Sequence, residues 1–253
     1  MKNYLRALRV AFGFLTTLPV PLITDWRDDD LRLAVRAYPV VGLVIGLLLT
    51  LPLFLPSSSF LQAVLIVGLW LGVTGDLHFD GFCDLADAAL APKTPEERWT
   101  IVKDPRIGSF ALMAGTLLIL VKVAALADLF ALRRDVLQYV PTLVMVPILA
   151  RSAVTWAMAR YPVYDASLLG RRTNLRWDET YLPIGLGLAL SVFITSFALT
   201  SFQFVFLVIA CVITTMALSY WLNKRMSGLG GDAYGAVVEV NEAVLLIGLT
   251  LIV

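Results

Sequence analysis

Long apolar runs separated by short polar segments make up most of this chain. Residues 37–75 and residues 180–223 contain no charged side chain. A helix of thirty-nine residues is about 58 Å long, whereas the hydrocarbon core of a bilayer is about 30 Å thick. Each of these two runs therefore predicts two membrane crossings, with turns near residues 56–59 and 200–203.

Three further apolar segments predict one crossing each, at about residues 107–127, 136–159 and 233–253. The total is about seven transmembrane helices. We predict an all-α fold, a polytopic integral membrane helical bundle in the lipid bilayer, with residues 1–253 forming one domain. The composition agrees, because only 15% of the residues are charged, against about 25% in a typical soluble domain.

The first eighteen residues follow a different pattern. Lys2, Arg6 and Arg9 lie on one polar arc of a helical wheel, and most other positions are apolar. This pattern predicts an amphipathic helix that lies in the membrane interface. A secretory signal peptide is the alternative, but the prolines at 19 and 21 and the lack of an A-x-A cleavage site disfavour it.

Lysine and arginine are distributed unevenly among the predicted loops. The N-terminal segment and the loops at residues 76–106, 160–179 and 223–232 have six, four, four and two of them, all on one side of a seven-span bundle. The opposite loops have only Arg133 and Arg134. The positive-inside rule therefore predicts that the first side, which holds the polar motifs, faces the cytoplasm of a prokaryote. A net charge of +1 gives no indication of nucleic-acid binding.

The stretch GDLHFDGFCDLADAAL gathers four aspartates at the end of the first apolar run. Asp76, Asp80, Asp84 and Asp87 recur at helical spacing, within an arc of about 80°. Neighbouring carboxylates about 6 Å apart repel by roughly 3 kcal/mol at an effective dielectric of 20, which favours a bound cation. Oxygen ligands suit Mg²⁺, Mn²⁺ or Ca²⁺, and Mg²⁺ binds through one or two carboxylates plus substrate phosphates. The cluster thus predicts a metal and a phosphorylated substrate, with a solvated acidic face as the alternative.

Two further features adjoin this cluster. His78 is predicted to point to the other side of the helix, and its role stays open between a general base, a partner of another group and simple packing. Arg106 and Gly108 stand where the third span begins, and a helix N-terminus beside an arginine suits an anion. An ordinary positive flank of the span is the alternative.

A second acidic set lies near the C-terminus. Asp232, Glu239 and Glu242 share one helix face, and Glu239 and Glu242 fall inside the last span, where ionisable residues are candidates for function. A polar contact between helices is the alternative. Arg151, about nine residues inside its span, is predicted to pair with buried carboxylates or a substrate phosphate, with a purely structural ion pair as the alternative. Lys122 is predicted to snorkel or to pair with aspartate 128.

These motifs together resemble the cobalamin synthase family, the adenosylcobinamide-GDP ribazoletransferases, over nearly the whole chain. The residues that match the family patterns are Phe14, Thr16, Pro19, Val20, Pro21, Pro39, Gly42, Gly46, His78, Asp80, Gly81, Asp84, Asp87, Asp104, Arg106, Ile107, Gly108, Gly228, Gly231, Asp232, Gly235, Ala236 and Glu239. Ala88, Lys103 and Gly230 stand where the family has Gly, Arg and Thr.

The resemblance implies the final steps of cobalamin biosynthesis. The family transfers the adenosylcobinamide-phosphate moiety of adenosylcobinamide-GDP to α-ribazole or α-ribazole 5′-phosphate, releases GMP, requires Mg²⁺ and works at the cytoplasmic membrane. Whether the protein forms a homo-oligomer is left open. The implied site consists of candidate catalytic residues His78, Asp80 and Asp84, substrate-binding residues Arg106, Gly108, Arg151, Gly231 and Gly235, and metal ligands Asp80, Asp84, Asp87, Asp104, Asp232 and Glu239.

Two other functions are weighed against this interpretation. One is a CDP-alcohol type of membrane phosphotransferase, but its D-G-x-x-A-R opening is missing, because Gly81 is followed by Phe82, Cys83 and Asp84. The other is a cation-coupled transporter, which predicts carboxylates near the middle of the bilayer rather than at one interface.

Overall fold

The structure, a computed structural model, describes residues 2–21, 23–25, 27, 29–132, 139–164 and 175–252. Within these ranges the long elements are all helices, and the β-structure is a single bridge between Val163 and Leu229. The predicted all-α fold is confirmed. Arg133, Arg134 and much of the predicted 160–179 loop lie outside the described residues.

The helices in these ranges follow one another with short connections, and two 3₁₀ turns, at Val35–Ala37 and Leu51–Phe54, flank the third of them. In chain order they are α1 (Lys2–Leu15), α2 (Asp30–Ala34), α3 (Tyr38–Leu49), α4 (Ser59–Thr74), α5 (Leu77–Leu90), α6 (Pro95–Val102), α7 (Ser109–Leu132), α8 (Tyr139–Arg160), α9 (Trp177–Thr195), α10 (Ser201–Met226) and α11 (Gly231–Ile252).

Several of these helices have the length and apolarity of membrane spans. In the described part of the chain five segments qualify, and a sixth is counted if α4 and α5 form one bent span. The predicted turns are confirmed, since Ser58 caps the start of α4 and Thr200 caps the start of α10. The chain is a multi-pass membrane protein, and the predicted number of seven spans is not confirmed.

Helix α1 forms as predicted and packs with its apolar face inward. Ala11 and Leu15 are buried against the following segment. On the polar face, the Arg6 guanidinium pairs with the buried Asp30 carboxylate through Nε and Nη2, each 2.6 Å from an oxygen. This paired contact holds α1 against α2, so one of its basic residues stabilises the fold directly.

A sharp bend separates α4 from α5. The helix axes differ by 92°, and the two residues between them, Gly75 and Asp76, have φ angles of 60° and 57°. The Thr17 N–H and hydroxyl donate to the carbonyls of Val73 and Gly72, each at 2.8 Å, and so satisfy the end of α4. Asp76 therefore precedes α5, whereas the other three aspartates of the cluster lie on it.

Helices α3 and α8 pack almost backbone to backbone. A Cβ atom added to Gly42 would lie 2.5 Å from the Pro147 carbonyl oxygen, and one added to Gly46 would lie 2.6 Å from the Val144 Cα. Small residues at such positions let membrane helices approach closely. The two glycines thus determine how near α8, which bears Arg151, comes to the rest of the bundle.

We predict that Gly42→Ala lowers the stability of the protein by about 1–3 kcal/mol, because the new methyl group has no room against α8. Thermal unfolding of the purified protein in detergent measures the change. Gly68→Ala is the matched control, since nothing lies within 4 Å of an added Cβ in α4. Equal unfolding temperatures for the Gly42→Ala variant and the wild type would contradict the packing described for α3 and α8.

Candidate functional site

Helices α5 and α11 cross in close contact, and this crossing brings the two acidic segments together. A Cβ atom on Gly81 would lie 2.8 Å from the Asp232 Cα, and one on Gly235 would lie 3.0 Å from the His78 carbonyl oxygen. Each glycine therefore accommodates the backbone of the other helix. These residues belong to separate motifs of the sequence, and the fold makes them neighbours.

Three carboxylates lie around this crossing. Asp80 is exposed, whereas Asp84 and Asp232 are half-buried. Asp84 interacts electrostatically with Asp80 and Asp232, and Asp232 interacts with Asp80, so the three negative charges share one neighbourhood. Their donor atoms are all oxygens, which suits a hard divalent cation.

The carboxylates of Asp80, Asp84 and Asp232 do not form a complete set of metal ligands by themselves. In the parts of the chain that the structure describes, no three His, Cys, Asp or Glu side chains converge closely enough to hold a metal ion. A Mg²⁺ ion usually keeps several waters and takes other ligands from substrate phosphates, so one or two carboxylates are a sufficient protein contribution. The acidic crossing is therefore compatible with Mg²⁺ by its donor chemistry.

Asp87 has a defined partner in the structure. Its Oδ2 accepts a hydrogen bond from the Gly108 N–H at 2.7 Å, and its Oδ1 accepts one from the Ala111 N–H at 2.9 Å. A carboxylate in this position satisfies two free N–H groups at the start of α7 and favours its dipole. A side chain at Gly108 would overlap this carboxylate, which explains the glycine. The structure thus places Asp87 as the cap of α7, and its predicted metal role stays a prediction.

Asp104 and Arg106 pair with each other in the exposed loop before α7. The Arg106 Nε and Nη2 atoms donate to the two carboxylate oxygens of Asp104, at 2.9 and 2.6 Å. These hydrogen bonds lower the pKa of Asp104 to about 2. Both residues were predicted to face the substrate or the metal. The structure shows instead that the Arg106 guanidinium and the Asp104 carboxylate bind each other. A phosphate that reaches Arg106 would therefore compete with Asp104.

Four buried charged residues form a network inside the bundle. The Lys122 Nζ atom lies 2.5 Å from Glu239 and 2.7 Å from Glu242, and Arg151 Nη1 lies 2.7 Å from the other Glu242 oxygen. The prediction that Arg151 pairs with a buried carboxylate is confirmed. Lys122 neither snorkels nor pairs with aspartate 128 as predicted, because its ammonium group donates hydrogen bonds to two glutamates inside the bundle. Glu239, predicted as a metal ligand, is placed in this network two turns from Asp232 along α11.

Loops from distant parts of the chain gather at the end of the bundle that holds the acidic crossing. The Trp99 indole donates to the Met226 carbonyl at 2.7 Å, and its ring stacks on Tyr164 at 4.3 Å. Arg98 and Arg225 donate to main-chain carbonyls across the same junction. Helix α6 begins with a capping box between Thr94 and Glu97, and its contacts to the end of α10 were not predicted from the sequence. The only hint of these contacts in the sequence is that a tryptophan and two arginines lie close to the polar motifs.

Comparison with known proteins gives a consistent result over almost the whole chain. Residues 7–250 match the family described as cobalamin-5-phosphate synthase. The chain belongs to this family. Among curated relatives of the synthase family, the adenosylcobinamide-GDP ribazoletransferase of Deinococcus radiodurans is 36% identical, over 97% of this chain and 86% of its own length.

Two other curated relatives have the same name. The adenosylcobinamide-GDP ribazoletransferase of Alkalilimnicola ehrlichii is 37% identical, over 98% of this chain and 96% of its own. That of Pseudomonas paraeruginosa is 34% identical, over 99% of this chain and 100% of its own. No solved structure matches the chain. The resemblance identified from the motifs is therefore confirmed at the level of the synthase family.

We predict that Asp87→Ala destabilises the protein by about 0.5–2 kcal/mol, since α7 loses its cap. Denaturant or thermal unfolding in detergent measures the loss. Asp84→Ala is the matched control, because it lies one turn away on α5 and gives up no hydrogen bond among the described residues. A larger destabilisation for Asp84→Ala than for Asp87→Ala would contradict the capping role.

Proposed function

We propose that this protein transfers the adenosylcobinamide-phosphate moiety of adenosylcobinamide-GDP to α-ribazole or α-ribazole 5′-phosphate and releases GMP. The products are adenosylcobalamin or its 5′-phosphate, so the reaction belongs to the final steps of cobalamin biosynthesis. The observation that carries the proposal is the α5–α11 crossing, which joins two acidic motifs in a chain whose relatives have this activity in their names. The ribazole 3′-hydroxyl attacks the phosphorus next to the aminopropanol linker, and GMP leaves.

Asp80, Asp84 and Asp232 are the residues that would hold Mg²⁺, with Asp104 and Glu239 available only if their ion pairs open. When bound, the metal ion would neutralise charge on the diphosphate and on the leaving oxygen. The carboxylates would orient the diphosphate by holding that cation at the crossing. Arg106 would neutralise phosphate charge once its guanidinium had left Asp104 and bound the phosphate instead. Gly231 would let the substrate approach the α11 backbone closely, whereas Gly235 is already in contact with the α5 backbone.

The reaction is proposed to take place at the cytoplasmic face of the inner membrane. Support comes from the predicted orientation, in which the loops that contain the polar motifs have most of the lysines and arginines. Further support comes from the joint position of these loops at one end of the bundle. A site at this end is accessible to a water-soluble nucleotide-linked corrinoid without a crossing of the bilayer.

Purified protein in detergent, incubated with adenosylcobinamide-GDP, α-ribazole and Mg²⁺, is expected to form a cobamide and GMP. Mass spectrometry detects both products, and EDTA is expected to abolish both because the site would lose its cation. Cation uptake by proteoliposomes in the absence of either product would support the transporter alternative. Undiminished turnover in EDTA would contradict the metal requirement and leave the transferase assignment standing.

We predict that Asp84→Asn lowers turnover by at least about 100-fold, because the amide removes a negative charge from the proposed cation site while keeping the side-chain shape. Product formation at saturating substrate measures the effect, and unfolding temperature verifies the fold. Asp128→Asn makes the same chemical change on the exposed surface of α7 and is expected to keep full turnover. Near-normal turnover in the Asp84→Asn variant would refute the role given to this carboxylate.

A further inference from the structure

A small cavity lies beside the α5–α11 crossing. Its volume is about 70 Å³, and its walls come from α1, α3, α5, α8 and α11. His78, Arg151, Asp232 and Tyr234 all line it. A cavity of this size accommodates a group of a few atoms, such as a phosphoryl group.

Polar atoms around this cavity lack hydrogen-bond partners. Arg151 is 1% exposed, and although its Nη1 donates to Glu242 and to the Pro147 carbonyl, its Nε and Nη2 have no partner among the described residues. His78 Nδ1 and the Tyr234 hydroxyl, in side chains 6% and 7% exposed, also lack one. Buried polar groups are nearly always satisfied, so several unpaired ones in side chains that line one cavity favour a bound group that accepts hydrogen bonds.

The arrangement of the free donors narrows the chemistry of that ligand. The Nε and Nη2 atoms of an arginine form one planar edge whose two N–H groups match two oxygens of a single phosphoryl or carboxyl group. In Arg151 this edge is the free part, because Nη1 is held by Glu242. The Tyr234 hydroxyl adds a third donor. The donor set therefore matches a group with several oxygen acceptors.

The surrounding charges indicate how negative this group can be. Lys122 and Arg151 are balanced by Glu239 and Glu242, and Asp232 adds a carboxylate at the edge of the cavity. Any phosphoryl group therefore adds to an excess of negative charge, and a doubly charged phosphate monoester adds twice as much as a singly charged group. Each phosphoryl group of a diphosphate that joins two organic groups has only one negative charge and is therefore the less costly occupant.

We propose that Arg151, Tyr234 and His78 form a metal-independent pocket for one phosphoryl group of the substrate, belonging to the diphosphate of adenosylcobinamide-GDP. This inference rests on the proposed function. Asp232 lies both at the cavity and against Gly81, so the pocket and the acidic crossing adjoin at this residue. A phosphoryl group held in the pocket would position its neighbour toward the carboxylates of α5.

The test measures substrate binding by full-length protein in detergent and EDTA, so that no divalent cation contributes. Calorimetry gives the Kd for adenosylcobinamide-GDP, α-ribazole 5′-phosphate and α-ribazole. We expect Tyr234→Phe to weaken adenosylcobinamide-GDP binding about 3- to 10-fold, the range of a neutral hydrogen bond. Arg151→Lys keeps a cation beside Glu242 but loses the two-donor edge, and we expect a loss of about 10- to 100-fold.

A matched control separates binding from folding. Tyr139 is another buried tyrosine, and its hydroxyl donates to the Phe130 carbonyl at 3.0 Å. Tyr139→Phe is expected to lower the unfolding temperature and leave every Kd unchanged. Tyr234→Phe removes a hydroxyl that has no partner in the free protein, so it is expected to keep or raise the unfolding temperature while it weakens binding. A purely structural Tyr234 would give the opposite result.

The three substrates distinguish the sources of the phosphoryl group. Weaker binding of adenosylcobinamide-GDP alone supports the diphosphate, whereas weaker binding of α-ribazole 5′-phosphate alone supports the pocket and reassigns it to that monoester. An equal loss for α-ribazole, which has no phosphate, overturns the proposal, and so do unchanged Kd values for all three.

A second measurement separates this inference from the proposed function. Dimethyl diphosphate, in which each phosphoryl group has one negative charge as in the substrate, is expected in EDTA to raise the unfolding temperature of the wild type and of Tyr139→Phe, but not that of Arg151→Lys. If this difference appears while the wild type forms no cobamide, the pocket stands and the proposed function fails. If the wild type forms cobamide, and dimethyl diphosphate protects all three proteins equally, the pocket is refuted and the proposed function stands.

Discussion

Two glycines let α5 and α11 touch backbone to backbone, and the polar features of the site are positioned by that contact. At Gly81 and Gly235 any side chain would displace the other helix. Without this approach, Asp232 would lie a side-chain diameter farther from Asp80 and Asp84, and the two acidic motifs would act separately. The bend before α5 is the second requirement, since it turns the aspartates away from the direction of α4 and into the crossing.

The buried charge network makes this geometry rigid. Lys122 on α7 and Arg151 on α8 both bind Glu242 on α11, so three helices share one electrostatic centre. Removing one partner from such a buried pair typically costs about 3–5 kcal/mol, because the remaining charge is left unsolvated. The network therefore opposes sliding or rotation of α11, and with it any displacement of Asp232. It also holds Nη1 of Arg151, a residue that lines the small cavity, against Glu242 and the Pro147 carbonyl.

Much of this fold follows from local properties of the sequence. Charge-free runs gave the helices and both turns, and the serine and threonine caps at residues 58 and 200 mark the predicted helix starts. The sequence also identified the residues of the acidic crossing. Their partners were less predictable. Lys122 was assigned to the membrane interface because spacing along one helix carries no information about which neighbouring helix supplies a counter-charge.

The same reason explains the other differences at the site. A bend of 92° depends on two consecutive left-handed residues, and the second of these, Asp76, looks from the sequence like the first member of a continuous acidic face. Asp104 and Arg106 were predicted to bind ligands, yet at a separation of two residues they reach each other first. Long-range contacts such as that between Trp99 and Met226 depend on the complete tertiary arrangement.

The cap of α7 has a consequence for substrate entry. The N-terminus of a helix attracts phosphate, and in this protein Asp87 already fills that position with a carboxylate from the same chain. The position at which this helix end would bind an external anion is therefore already occupied within the chain. As long as Asp87 caps α7, neither the Gly108 N–H nor this carboxylate is available to a ligand, so the cap removes one donor and one acceptor from the predicted binding surface.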